Sequence, residues 1–220
     1  MTVVYVIRHP RTDWNDVGRY QGRLEAPLSR EGRVQAGLLA RTFAGQDIQA
    51  VVSSPLCRAL IPARDIAAAT DSPLTVDQRL TEIGLGVWEG LLTSEIRDHN
   101  PDLLQAWHNT PDEVHIPMGE TIQAVAARAA AALKSILDGY PVGNVVVVTH
   151  SVVVRVLAAA ALGLTLRHIH RLPASNAAMT VFCGRDLPGK VVWLNSLAAV
   201  YPSPVAAAEA AGCGRERGVA

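Results

Sequence analysis

Lysine is nearly missing from this chain: of 20 basic residues among 220, only Lys134 and Lys190 are not arginine. A GC-rich coding sequence leaves such a bias, so it carries no functional weight. Acidic residues also number 20, and the formal charge is zero. No broad field of one sign is offered to nucleic acid, which is therefore not an expected partner. Any anion has to be gripped by a local cluster. Three cysteines, Cys57, Cys183 and Cys213, lie far apart without metal-ligand spacing. An odd, scattered set argues against a disulfide framework and points to a reduced, cytoplasmic setting. Long apolar runs are absent too. The run at Val3–Ile7 has no basic region before it and stops at a charge, unlike a secretory signal. The stretch from Val152 to Leu166 is interrupted by Arg155 and falls short of the ~20 residues a membrane span needs. No membrane is expected as a partner.

What is present is a strand plan used twice. Val3-Val4-Tyr5-Val6-Ile7 ends in Arg8-His9-Pro10-Arg11-Thr12-Asp13-Trp14-Asn15, and Asn144-Val145-Val146-Val147-Val148 ends in Thr149-His150-Ser151. Short β-branched runs of this kind read as buried strands that deliver side chains to their carboxyl ends, where open α/β sheets bind ligands. Side by side and parallel, they would present His9 and His150 to one pocket. A strand-end histidine standing alone is most often a hydrogen-bonded structural residue; the arginines beside both favour the pocket.

A chain of this length holds one sizeable core, and a single domain over residues 1–201 is expected. After the first strand, the polar loop from Pro10 to Pro27 holds Asn15, Gln21, Gly22 and Arg23, and loops of that length are usually functional. Ser29 is placed to cap a helix whose stripe would be Val34, Leu38, Leu39 and Phe43. Ala50–Ser54 reads as a second strand running into Pro55, with Ser54 as N-cap of the next helix. Arg58 falls in that helix's first turn, where free backbone N–H groups favour an anion; a solvated first-turn arginine is the other reading. Leu74–Val76 is a third strand, followed by a glycine-punctuated loop from Leu80 to Gly90 containing Glu82. Residues 93–117, broken by Pro101, Pro111 and Pro117, suggest a cap over a pocket, with Trp107, His108 and His115 as specificity candidates. A long helix is expected from Gly119-Glu120-Thr121 to about Asp138, and another from Val152 to Leu162. Ala177–Cys183 and Lys190–Leu194 read as an edge hairpin around Leu187-Pro188-Gly189. Residues 202–220 lack periodicity and are expected to form a flexible tail.

Arg8-His9-x-x-Thr12-x-x-Asn15 with Gln21-Gly22, Ser53-Ser54-Pro55-Leu56-x-Arg58-Ala59, Glu82 ahead of Gly86-x-Trp88-Glu89-Gly90, Gly119-Glu120-Thr121, and Thr149-His150 together resemble the histidine phosphatase superfamily, the phosphoglycerate-mutase-like or RHG group. The likeness runs in order from residue 3 to about residue 195. It implies an α/β fold, a three-layer α/β/α sandwich on a mostly parallel sheet, and a metal-independent, cofactor-free phosphatase for a small phosphorylated metabolite. By the same likeness His9 would take the phosphoryl group, Glu82 would act as acid and then base, and Arg8, Asn15, Arg58 and His150 would line the phosphate pocket. Arg11, Gln21, Gly22 and Ser151 are candidates for contact with the rest of the substrate, and Arg11 is equally a solvated loop residue.

Four positions depart from the pattern: Pro10 and Ser151 stand where glycine is usual, Arg11 where Glu or Gln often is, and Pro62 where threonine often is. Two alternatives stay beside the phosphatase. One is a phosphoglycerate-type mutase, which generally carries a longer insertion after the Glu82 region. The other is a phosphatase-like protein repurposed for ligand binding or non-phosphoryl chemistry. Substrate identity and oligomeric state, including a homodimer, are left open by the sequence.

Overall fold

Residues 1–184, 190–197 and 204–206 are described by the computed structural model. In chain order the elements are β1 (Thr2–Arg8), the one-turn helix α1 (Asp13–Asp16), α2 (Arg30–Phe43), β2 (Ala50–Ser53), α3 (Cys57–Thr70), β3 (Leu74–Val76), α4 (Thr93–His99), α5 (Pro101–Asn109), α6 (Ile122–Gly139), β4 (Gly143–Thr149), α7 (Ser151–Ala161), β5 (Ala178–Gly184) and β6 (Lys190–Leu197). Their sheet has the order β3-β2-β4-β1-β5-β6. The first four strands in that order are parallel, while β5 and β6 extend the sheet antiparallel beyond β1. The expected hairpin is this extension, and its turn at Leu187-Pro188-Gly189 lies outside the described residues.

Strand periodicity divides the core in two. Val4, Val6, Val145 and Val147 point to the side where α6 and α7 pack through Val125, Ala129, Leu133, Val153 and Leu157. Val3, Tyr5, Ile7, Val146 and Val148 point to the other side, against Leu39 and Phe43 of α2 and Ala59, Ala63 and Ile66 of α3. Because successive strand residues face opposite ways, a run apolar at every position must be covered twice. The outcome is the three-layer α/β/α sandwich.

Two local readings need correction. The stripe that α2 buries is Gly32, Ala36, Leu39 and Phe43, whereas Val34 and Leu38 are 57% and 38% exposed. Small residues do the close packing: a Cβ on Gly32 would lie 1.8 Å from the Arg11 carbonyl oxygen, so the helix can meet the loop after β1 only through glycine. Ser54 is not the N-cap of α3, which starts two residues after Pro55 with Leu56 in the cap position and no side-chain cap bond. The Ser54 hydroxyl is used elsewhere, against His150. The cap at Ser29 is as expected, and Thr121 caps α6 in the same way, each accepting a backbone N–H three residues on.

The segment 93–117 forms α4, α5 and a 3₁₀ turn at Pro111–Glu113. Trp107 anchors it edge-on to Trp88, with ring centroids 6.3 Å apart. Most of the expected tail lies outside the described residues. Pro204–Ala206 is helical, and Val205 is buried against the β1 side of the core, so a flexible tail is not what those three residues form. No helix among the described residues is long and apolar enough to cross a membrane.

Candidate active site

Arg8 of β1 stands level with Thr149 of β4, so the next residues, His9 and His150, leave the sheet together. Their ring centroids are 5.3 Å apart. The helices that follow these two strands lie on opposite faces, α2 on one and α7 on the other, which opens a crevice at the carboxyl edge of an α/β sheet. A cavity of about 220 Å³ occupies it. Arg8, His9, Asn15, Gln21, Gly22, Arg58, Glu82 and Ser151 all line that cavity.

His9 is 3% exposed, and its Nδ1 lies 2.7 Å from the Pro10 carbonyl oxygen. A carbonyl only accepts, so Nδ1 carries the proton and donates, leaving the Nε2 lone pair for the cavity. Burial, then the charges of Arg8 and Arg58, hold this imidazole well below its ordinary pKa and therefore neutral. Proline at position 10 still supplies the carbonyl that this arrangement uses.

His150 is fully buried. Its Nε2 is 2.7 Å from the Ser54 hydroxyl, which already accepts the Leu56 N–H. Among the described residues the Ser54 hydroxyl has no other acceptor for its proton, so it donates to Nε2, and Nδ1 bears the imidazole proton. That Nδ1 is buried without a partner. Burial, followed by the charge of Arg58, likewise keeps His150 well below the usual imidazole range.

Two guanidinium groups complete the inner wall. Arg58 donates from Nη1 to Leu24 O at 2.7 Å and from Nη2 to Gly22 O at 2.6 Å, and Arg8 donates from Nη1 to Ala174 O at 2.6 Å. Both Nε atoms are buried with no partner. Burial pushes Arg8 down to about 10 and lowers Arg58 as well, and both stay cationic at neutral pH. Three unsatisfied buried donors, each costing about 1–3 kcal/mol, thus surround His9 together with two positive charges. Arg8 and Arg58 line the cavity and can meet an anion there, whereas His150 is fully buried beside His9 and is not among the lining residues.

Asn15 accepts at Oδ1 from the Thr12 N–H, the Thr12 hydroxyl and Asn176 Nδ2, so its own amide N–H groups are left for the cavity it lines. Gln21 donates to Thr12 Oγ1 at 2.9 Å and leaves Oε1 buried without a partner. Gly22 adopts φ +51° with its Cα against the Glu89 carboxylate, a place where a side chain would collide. Arg11 is not part of the cavity lining: its half-exposed side chain is ion-paired with Asp16 and, at 3.5 Å, with Glu31. Local acids at positions 16 and 31 outcompete a pocket that already holds two arginines.

Glu82 faces His9 from the other wall. Its carboxylate accepts from Ile83 N–H at 3.0 Å, Val152 N–H at 3.3 Å and the Ser151 hydroxyl at 3.0 Å, the last two belonging to the first turn of α7. Arg128 of α6 clamps the preceding backbone by donating to the carbonyls of Arg79 and Glu82. The Thr149 hydroxyl adds a bond to Leu80 O at 2.6 Å. Sequence reasoning missed Arg128, and it passed over three further residues of the outer cavity wall, Arg19, Arg155 and His170. One signal was readable for Arg155: a charge four residues after Ser151 shares its helix face. His115 lies away from the cavity, with Nε2 3.3 Å from the Gly119 carbonyl.

Fold and site are together those of an α/β protein with a cationic anion pocket built around a neutral imidazole at the carboxyl edge of its sheet. Residues 4–196 match the histidine phosphatase superfamily (branch 1), and the chain belongs to that family. It is 32% identical over 195 residues to "Phosphoserine phosphatase 1" of Hydrogenobacter thermophilus, covering 89% of this chain and 92% of that one. To the "Probable phosphoglycerate mutase GpmB" of Yersinia pestis it is 32% identical over 197 residues, covering 89% of each. Among solved structures, the mycobacterial glucosyl-3-phosphoglycerate phosphatase in complex with VO3 superposes with a TM-score of 0.81 at 29% identity, over 88% of this chain and 99% of that one.

Proposed function

We propose that this chain hydrolyses the phosphate monoester of a small metabolite through a phosphohistidine at His9. The observation that carries the proposal is the pair of orphaned buried donors, Arg8 Nε and Arg58 Nε, gathered beside a neutral His9. Two donors and two positive charges suit the equatorial oxygens of a phosphoryl group in flight, and donors fixed in advance stabilise the charge without reorganising. His9 Nε2 attacks phosphorus, and the ester oxygen departs with a proton from Glu82. Water then attacks the phosphohistidine, giving its proton to the Glu82 carboxylate, and phosphate leaves with His9 restored. Relatives named as phosphatases of phosphoserine and of glucosyl-3-phosphoglycerate support this reading, and a cavity of about 220 Å³ suits a compact ester.

The mutase reading rests on the phosphoglycerate-mutase name of another relative. The repurposed reading loses its motive, since Pro10 still supplies the carbonyl that His9 uses and Ser151 holds Glu82 instead of blocking the pocket. A panel of small phosphate esters decides. Release of inorganic phosphate, with acid-labile labelling of the protein, is the expected outcome. Isomerisation without release indicates the mutase, and the absence of both overturns phosphoryl chemistry.

A further inference from the structure

Beyond the phosphoryl pocket the same cavity runs out under the cap segment to a second set of polar groups that the hydrolysis leaves unused. Arg155, one helical turn along α7 from Ser151, lines it with His170, His108 and Trp107. The half-buried Arg155 donates from Nε to the Leu172 carbonyl at 3.0 Å, and its Nη1 lies 3.5 Å from His170 Nδ1. Among the described residues it forms no ion pair. Glu82 acts on it only through space and is already held by three other donors. A cation fixed by a carbonyl inside a cavity, without a counter-ion, is costly to desolvate and calls for an anion.

The neighbouring imidazoles say which kind. His170 stacks edge-on to Trp107 at 4.8 Å between ring centroids, and its Nε2 is buried with no hydrogen-bond partner, the Trp107 carbonyl being its weak neighbour. Arg155 can only donate, so its contact makes Nδ1 the acceptor and puts the proton on Nε2. Burial and the charge of Arg155 drive His170 down to about 4, and the same two causes lower His108 at the rim. Both rings are therefore neutral donors; Arg19, the other arginine of the outer wall, lies over the Trp14 ring and donates to the Gly90 carbonyl, so the positive charge beside the two imidazoles is that of Arg155. The inner pocket, made for a phosphoryl group of about two negative charges, has two arginines. One arginine with neutral donors matches a monoanion.

We infer that Arg155, His170 and His108 form a leaving-group subsite for a carboxylate, so that the substrate is the phosphate monoester of a small hydroxylated carboxylic acid. The inference rests on the phosphatase reading for the ester and on Arg155 for the acid. Such a ligand spans the cavity with its phosphoryl on the inner donors and its carboxylate on Arg155, and the two anionic ends orient the ester oxygen toward Glu82.

The test compares kcat/KM within pairs that differ at the carboxylate: 3-phosphoglycerate with glycerol 3-phosphate, and O-phosphoserine with O-phosphoethanolamine. Wild-type protein should favour the carboxylate member of a pair by about 10- to 100-fold, as expected of one charge-assisted contact. In Arg155→Met that ratio should fall close to one, and Arg155→Lys should keep part of it. Wild-type protein without the preference, or Arg155→Met with the ratio intact, overturns the subsite. Arg155→Met also loses the Leu172 contact; should it not fold, His170→Phe, which keeps the Trp107 stacking, must lower the same ratio. If no ester is hydrolysed, the phosphatase reading fails by itself. The subsite is then judged by calorimetry on the His9→Ala protein, where 3-phosphoglycerate must bind more tightly than glycerol 3-phosphate and must lose that advantage with Arg155→Met.

Discussion

The Ser151 hydroxyl donates to Glu82 Oε2 across 3.0 Å, tying the first residue of α7 to the loop that follows β3. The bond exists only because position 151 is not glycine. Ser151→Ala should therefore lower kcat/KM by roughly 3- to 10-fold, since one of the three bonds that fix the Glu82 carboxylate at the cavity is gone. Ser151→Thr, with its hydroxyl kept, should stay close to wild type. A kcat/KM unchanged in Ser151→Ala would show that the bond does not position Glu82.

His9→Ala should abolish phosphate release, by on the order of 10⁴-fold or more, because removing a nucleophile is not rescued by its neighbours. The acid-labile phosphoprotein should vanish with it while circular dichroism stays native. Residual turnover near wild type would move the nucleophile elsewhere.

Arg58 binds two loop carbonyls as well as facing the pocket, so two readouts should change together. Arg58→Ala should lower kcat/KM by roughly 10²- to 10³-fold and cost about 1–3 kcal/mol of stability through the orphaned Gly22 and Leu24 carbonyls. Arg58→Lys should recover part of each, lacking the planar fork. Denaturation curves and kinetics on the same preparations check both.

Stability should fall on the acid side. His9, His150 and His170 all sit below the ordinary imidazole pKa of about 6.5 in the folded protein. The unfolded chain thus binds more protons below that pH, and the three rings' contribution is fully present above it. It is lost as pH drops, continuing through about 4, where His170 titrates. Urea midpoints at pH 7.5, 6 and 5 should decrease in that order, and His170→Asn should flatten the trend. A midpoint constant across that range would refute it.

Arg11→Ala should leave both kcat/KM and the melting temperature nearly unchanged, since the exposed ion pairs with Asp16 and Glu31 are the contacts it loses. A large rise in KM would return Arg11 to the pocket.

The α/β/α layering and the pairing of His9 with His150 were legible because both depend on local pattern. Continuous valine strands demand cover on both faces, and polar residues at their ends must emerge at the sheet's carboxyl edge. Capping at Ser29 was readable for the same reason, since a cap spans three residues. The burial of Gly32 and Ala36 in place of Val34 and Leu38 was not, because it depends on how closely the loop carrying Arg11 approaches α2. Nor could sequence tell Arg11 from Arg58, two arginines that follow strand ends. One finds acids five and twenty residues away along the chain, while the other is turned inward by carbonyls at Gly22 and Leu24. The outer wall is the extreme case: Trp107, Arg155 and His170 come from three separate segments and meet only when the cap closes against α7. The layers and the chemistry of the strand ends were thus set by neighbours in sequence, whose interactions the chain carries with it, whereas the strand order, with β4 between β1 and β2, was set by the fold. Which charges are neutralised and which are left waiting for a ligand depended on contacts between distant segments, and those exist only in the folded protein.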